Sequence, residues 1–419
     1  MTDLVLKSAT LQDGRVADIS ITDGVITHIG SSGPAGQVID CRGRLCVPAA
    51  IDVHVHMRDG PQAAKEDWAT GTQAAVAGGV AAVVDQPNTV PPMETVENFT
   101  ARVQRANEES FCHYAVNGSV TESADLPGLY RAGALAFGEM FAAPSSYGSA
   151  LTQEVIHSAL ATLASQGALT TVHAEEVKPG DVHTLAEHAA SRPVSGEAAT
   201  VDLVNSLAPT HAKLHYCHMS GTASIARVMM RQGNTFEVAP HHLFLSWEEH
   251  DCTDTRFRMN PPLRTKTERM DLWRMFDAIP VIASDHAPHT ILEKAQDFAS
   301  APSGVPGVET MLPLLMNEVR SGGISLDAVI AKTVTNPYRI FGLAAPVVAV
   351  GSRADLAVYA DMPVKISAEN LHSKCGWTPY EGMDGLFPET TIVGGTAVWH
   401  RGEFVRGRPR WLAGKGKSF

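Results

Sequence analysis

The middle of the chain repeats one hydrophobic rhythm. Apolar runs of strand length recur: "AIDVHVH", "VAAVVDQPN", "FCHYAVNGS", "ALAFGEMF", "ALTTVHAE", "AKLHYCHMS", "NTFEVAPHH" and "IPVIASDHA". Between them lie stretches with helical spacing, such as "TVENFTARVQRANEES", "TQEVIHSALATLASQG", "TASIARVMMRQG" and "ERMDLWRMFDA". Strand–helix alternation predicts parallel pairing, because a crossover helix is what returns the chain to start a parallel neighbour. Eight such units predict an α/β fold, a closed (β/α)8 TIM barrel. An open doubly wound sheet is the competing arrangement, but it would more often carry a Gly-rich loop after its first strand, and "HVHMRDG" is not one. The closing "AGKGKSF" has no strand before it and is not read as a phosphate loop.

Both ends of the chain have a different period. "LVLKSATL", "VADISITDGVITHIG" and "QVIDCRGRLCVPA" alternate every second residue and break at Asp-Gly and Gly turns, as do "ADLAVYADM" and "ETTIVGGTAVWHRGEFV". Such patterns predict hairpins. A small β-sandwich built from both termini is expected, with residues 1–47 and 344–419 flanking a barrel over 48–343.

Composition narrows the function classes. The 419 residues are 44% hydrophobic and 19% charged, enough to bury a sizeable core. A formal net charge of −12 speaks against nucleic acid or an anionic membrane as partner, and it requires a local positive cluster for any anionic substrate. Six scattered cysteines without a CxxC pair read as reduced thiols. The start shows no signal-peptide pattern and no run is long enough to span a membrane, so a soluble, cytoplasmic protein is expected.

Chemistry-capable residues concentrate at the ends of the eight runs. His54 and His56 close the first, Asn88 the second, His173 the fifth, His218 the sixth and Asp285 the eighth, with Glu139 near the end of the fourth. In a barrel these ends open onto one face. Residues i and i+2 of a strand share a side, so His54 and His56 form a clamp. Four imidazoles and two carboxylates make a donor set suited to zinc, and six ligands suit two ions sharing a carboxylate. Glu139 is open to two readings, a metal ligand or a buried salt-bridged carboxylate. His215 is expected to be a core residue on the opposite side of its strand, and His241 and His242 supporting groups or core.

These residues carry a resemblance over nearly the whole chain. "IDVHVHMRDG", "QPNTVPP", "TVHAEE", "LHYCHMS", "EVAPHHLFLS", "MNPPLR" and "VIASDHAPHT" resemble the ordered motifs of the dihydroorotases of the amidohydrolase superfamily. The resemblance implies a zinc enzyme, with two ions or another divalent metal, that interconverts dihydroorotate and N-carbamoyl-aspartate in pyrimidine biosynthesis. It implies that His54 and His56 hold one metal, His173 and His218 the other, and that Asp285 is both ligand and acid–base. Arg58, Asn88 and His289 would hold the substrate carboxylate and Asn260 the ring, with His56, Ser303 and Gly304 adding contacts. A small-molecule substrate follows. A homodimer and association with aspartate transcarbamoylase are implied by the resemblance alone. Two departures stand out. "RDGPQ" replaces the usual Glu-Pro-Gly after the arginine, and Glu139 stands where many members have a carboxylated lysine. Two other readings stay open: an allantoinase or hydantoinase, and a metal-free scaffold relative.

Overall fold

The computed structural model describes residues 2–142 and 150–417. Residue 1 and residues 418–419, the outermost ends of the two terminal segments, lie outside this description.

Each of the eight apolar runs contains a strand: Ala50–Val55, Val80–Asp85, His113–Val116, Phe137–Phe141, Leu169–His173, Lys213–Tyr216, Thr235–Val238 and Val281–Ile282. They are numbered one to eight below. Consecutive strands pair in parallel, one to three in one sheet and four to eight in another. Parallel bridges join the two sheets at both seams, Gly118 with Phe137 and Val55 with His286. The backbone N–H of His56 donates to the carbonyl of His286 at 2.8 Å across the second seam. The eight strands therefore run round a ring, and the C-terminal ends of all of them face the same way.

The ring needs apolar residues on both sides of its strands, since helices cover the outside and side chains fill the inside. Strands one, two and three have no exposed residue. Ile51, Val53, Val83, Ala115 and Val172 join outer-helix residues such as Leu160, Leu163, Val204 and Ile225 in one buried cluster. The helices start where the sequence offers a cap. Thr95 accepts from the backbone of Asn98, Thr152 from that of Val155, and Thr265 forms a reciprocal capping box with Glu268. Each such cap satisfies an otherwise orphaned backbone donor, worth about 1 kcal/mol.

The terminal segments form two further sheets. Thr2–Thr10, Val16–Thr22, Val25–Gly30 and Ala35–Asp40 make the first, with the tight turn at Asp23 and Gly24 held by positive φ at both residues. The second contains Leu356–Tyr359, Pro388–Val393, Thr396–His400 and Glu403–Phe404, with Cys46–Pro48 from the N-terminal side at its edge. Leu4, Leu6, Ile19 and Ile21 of the first share a buried cluster with Leu356, Val358 and Ile392 of the second. One stretch behaves differently from its neighbours. Residues 364–385 leave this sheet as an excursion closed by pairing of Val364–Lys365 with Asp384–Gly385. Its Ile366, Cys375, Trp377 and Tyr380 pack against Leu245, Met259, Leu263, Val305 and Leu314 on the ring. All six cysteines are free, and no helix among the described residues is long and apolar enough to cross a membrane.

Candidate metal centre and substrate cleft

His54 lies one residue before the end of strand one at Val55, and His56 follows that end directly, with ring centroids 5.4 Å apart. The Nε2 of His54 stands 3.5 Å from Asp285 Oδ1 and 3.7 Å from Glu139 Oε2; the Nε2 of His56 stands 3.4 Å and 3.9 Å from the same two oxygens. On the other side, His173 Nδ1 and His218 Nε2 each lie 2.8 Å from Glu139 Oε1 and 3.0 Å from one another. Glu139 thus turns one oxygen to each pair of imidazoles. Two candidate ligand sets follow, His54–His56–Glu139 and Glu139–His173–His218, each with its donor atoms within 4.8 Å. All six residues are buried.

The local sequence explains how the bridge gets there. Strand four must pass close to strand five just before Glu139, and a Cβ on Gly138 would stand 2.1 Å from the carbonyl oxygen of Thr171. Gly138 also has a φ of +116°, a conformation only glycine adopts without strain. His218 and Asp285 lie past the ends of their strands with φ of +34° and +49°, and Arg58 has +47°. Such left-handed residues cost roughly 1–3 kcal/mol each and are held only by surroundings that over-determine them. Those surroundings are visible for Arg58. Asp85 accepts from the backbone of Met57 at 2.8 Å and pairs with the buried Arg102, which donates to the Arg58 carbonyl at 2.8 Å. Asp59, the departure in "RDGPQ", pairs with Arg105 and so fastens the outside of this turn.

Three supporting carboxylates were not singled out from the sequence. Glu237 of strand seven accepts from His54 Nδ1 at 2.5 Å and from His215 Nε2 at 3.0 Å. His215 is buried and fixes the carboxylate that orients His54, an arrangement common behind metal-binding histidines. Glu175 holds His173 Nε2 at 3.0 Å and is itself held by Arg192. Asp52 accepts from the backbones of His54 and Ser284, which ties strand one to the segment carrying Asp285. A signal existed for Glu237: a carboxylate inside the apolar run "TFEV" has to be paired. His242 Nε2 bonds the Pro261 carbonyl at 3.2 Å, whereas neither ring nitrogen of His241 has a partner among the described residues. His241 therefore supports no ligand through a hydrogen bond. Cys217 lies against His54 and Glu237, but burial pushes its thiol up, so it remains protonated.

Electrostatics favour a cation here. Burial would raise Glu139 and Asp285, yet the surrounding histidines hold Glu139 well below the ordinary range and Asp285 at about 2. Burial would lower His173, but Glu139 and Glu175 outweigh it and raise the ring to about 9. The Nε2 of His54 is buried with no hydrogen-bond partner. A buried nitrogen facing shared carboxylate oxygens fits a divalent ion, which supplies the missing partner.

A cleft opens above this cluster, lined by His56, Arg58, Asn88, Glu139, His173, His218, Asn260, Asp285, Ser303 and Gly304 among others. Asn88 bonds His56 Nδ1 at 3.0 Å, and Asn260 accepts from His188 Nε2 at 3.0 Å. Gly304 has a φ of +135°, and a Cβ there would come within 2.6 Å of the Ala287 carbonyl, so the wall needs glycine. His289 lines the adjoining space. Burial, with Arg58, Lys65 and Lys294 nearby, pushes His289 down to about 3 against the opposing pull of Glu293. Its neutral ring accepts from Lys65 Nζ at 3.2 Å and donates from Nε2 to the Ser303 carbonyl at 3.0 Å, with Arg58 Nη2 3.4 Å away.

A profile of the Amidohydrolase family matches residues 45–398. A dihydroorotase of Methanosarcina acetivorans is 39% identical over 435 residues, covering 96% of this chain and 93% of the relative. A dihydroorotase of Halobacterium salinarum is 40% identical over 406 residues, covering 94% and 96%. Among solved structures, the L-hydantoinase of Arthrobacter aurescens superposes with a TM-score of 0.89 at 25% identity, covering 97% of this chain and 98% of its own. Similarity that runs the length of the chain, through every strand end that builds the cleft, makes the protein a member of the amidohydrolase family.

Proposed function

We propose that this chain is a dihydroorotase, hydrolysing the cyclic amide of dihydroorotate to N-carbamoyl-aspartate and closing it in reverse. The observation that carries this reading is a buried arginine, Arg58, lining the same cleft as the two ligand sets joined by Glu139. Hydrolysis of a cyclic amide needs a nucleophile, polarisation of the carbonyl and a proton for the departing nitrogen. A ring carboxylate needs a cation, and dihydroorotate has one. The relatives named dihydroorotase, 39–40% identical over nearly the whole chain, support the same choice.

The architecture proposed for it is a (β/α)8 barrel over 48–343 and a β-sandwich from 1–47 and 344–419. His54 and His56 are proposed to hold one zinc ion, His173 and His218 a second, with Glu139 between them and Asp285 on the first. When bound, such ions lower the pKa of a coordinated water from 15.7 to about 7 and polarise a carbonyl oxygen. Asp285, ionised at neutral pH and 3.4–3.5 Å from the paired imidazoles, takes the proton from the attacking water at Oδ1. It then delivers that proton to the ring nitrogen as the C–N bond breaks, which is general base followed by general acid work. Arg58 grips the ring carboxylate as a planar fork. Asn88, Asn260, His56, His289 and the Ser303–Gly304 wall complete the contacts. The homodimer, the association with aspartate transcarbamoylase and the cytoplasmic location belong to this reading without resting on a residue of the chain.

The test is a parallel assay with dihydroorotate, allantoin and hydantoin on protein of known metal content. Turnover of dihydroorotate alone is expected. The solved hydantoinase makes hydantoin the pointed comparison, and hydantoin turnover without dihydroorotate turnover would replace the reading.

Two further outcomes follow. Arg58→Lys keeps the charge and loses the second N–H of the fork, so KM for dihydroorotate should rise about tenfold or more with kcat little changed. An unchanged KM removes Arg58 from substrate recognition. Chelator-treated protein should lose activity and regain it with zinc. His173, raised to about 9, carries a proton at pH 8 in the metal-free protein, and a metal can bind only the deprotonated ring. Metal uptake at pH 8 should therefore release protons, read as a calorimetric heat that varies with the ionisation enthalpy of the buffer. A buffer-independent heat contradicts this.

A further inference from the structure

The excursion at 364–385 reaches from the C-terminal sheet to the mouth of the ring, and its tip carries a residue the mechanism does not use. Trp377 is buried, and its indole Nε1 donates to the backbone carbonyl of His289 at 2.7 Å. The excursion is anchored just before it in the chain. Ser373 and the backbone of Lys374 bond the buried Glu66, the Lys374 ammonium pairs with Asp67, and the His372 ring bonds Glu309 at 2.7 Å.

The ring of Trp377 faces a second unused group. The ammonium of Lys294 stands 5.5 Å from the indole centroid, and Lys294 is 2% exposed. A buried ammonium is expected to sit beside a carboxylate, but among the described residues none lies within ion-pair distance of Lys294. Its donors go instead to two backbone carbonyls, Arg258 and Pro302, each at 2.9 Å. Pro302 immediately precedes Ser303 and Gly304, and Gly304 N–H donates to the Arg258 carbonyl at 3.0 Å. Arg258 in turn donates to the carbonyls of Phe298, Ala299 and Ala301. Two cations thus pin the 298–304 loop through its main chain.

We propose that Trp377 and Lys294 are positioning residues that brace the carboxylate-recognising wall of the cleft, His289 through its carbonyl and Ser303–Gly304 through Pro302. Neither side chain touches the substrate. Trp377 fixes His289 from behind, and Lys294 fixes the strand of loop that His289 Nε2 bonds at Ser303. The indole face and the ammonium hold one another by a cation–π contact, so loosening one loosens the other.

This inference rests on the dihydroorotase reading, and the test separates the two. Trp377→Phe keeps the ring and removes the N–H donor; Lys294→Met keeps the length and removes the charge; Lys294→Arg restores a donor cation. Each is assayed beside the unmodified chain for kcat and KM with dihydroorotate, for bound metal, and for thermal unfolding. Trp377→Phe and Lys294→Met should each raise KM roughly tenfold, the loss of one directed hydrogen bond, with kcat within about twofold and metal content unchanged. Lys294→Arg should recover most of the loss, and the double variant should lose less than the product of the two single losses. An unmodified chain without dihydroorotate turnover sinks the functional reading itself. An active unmodified chain whose variants keep their KM, or lose kcat, metal and folding together, overturns the brace alone.

Discussion

Asp285→Asn is expected to lower kcat for dihydroorotate by roughly 10³-fold, within the span that general acid–base catalysis contributes, while a substrate analogue still binds. The replacement is unusually clean at this position. Asp285 has a φ of +49°, and asparagine shares with aspartate a tolerance of the left-handed region. The backbone turn is therefore not strained further, and the amide oxygen still faces the imidazoles of His54 and His56. What is lost is an oxygen able to take a proton and give it back. Measuring kcat, analogue affinity and metal content together isolates that loss. A variant that retains its metals and more than a tenth of wild-type kcat would deny Asp285 the proton-transfer role.

Glu139→Gln should have the second large effect, and it reads the metal centre rather than the proton. The carboxylate gives Oε1 to His173 and His218 at 2.8 Å and Oε2 to the side of His54 and His56. An amide has one acceptor oxygen and an NH2 that donates, so either the first or the second pair of imidazoles must face a donor. One negative charge also disappears from a fully buried cluster. Bound metal is expected to fall from two ions to one or fewer per chain, and kcat by about 10²-fold or more, a typical cost of removing one element of electrostatic stabilisation. Elemental analysis beside steady-state kinetics checks it. Two tightly held ions and full turnover in the variant would mean that Glu139 is only a neighbour of the centre.

Most of the strand positions, and the polar residues gathered at their ends, were legible because a buried parallel strand and a cluster of His and Asp at apolar run ends both leave marks in one dimension. Continuous apolar runs ending in His or Asp give the location of strands one, five, six and eight to within three residues. Asn88, Asn260, Ser303 and Gly304 followed from motif resemblance and line the cleft. Harder to read were groups whose role depends on a partner far away in sequence. Glu237 looks like any charged residue until His54 and His215 are set against its two oxygens. His215 is the buried, hydrogen-bonded core residue expected, and its partner is that same carboxylate. His289 was expected beside the substrate, and its ring is engaged by Lys65 and the Ser303 carbonyl in the space adjoining the cleft. The 364–385 excursion was invisible for a similar reason: its irregular "LHSKCGWTPYEGM" has no period, and its order comes from Glu66, Asp67 and Glu309.

The seam between strands eight and one has a consequence for how the fold depends on the centre. Strand eight is two residues long, and the closure there rests on a few bonds, His56 to His286 and Ser284 to Asp52. The proposed ligands sit on both sides of that seam, so whatever grips them also clasps strand one to the segment after strand eight. A cation held from both sides would tie Asp285 to the paired imidazoles and add to the few bonds that close the ring here. Ring closure and ion binding would then be one event, and loss of the ion would weaken the fold as well as the reaction.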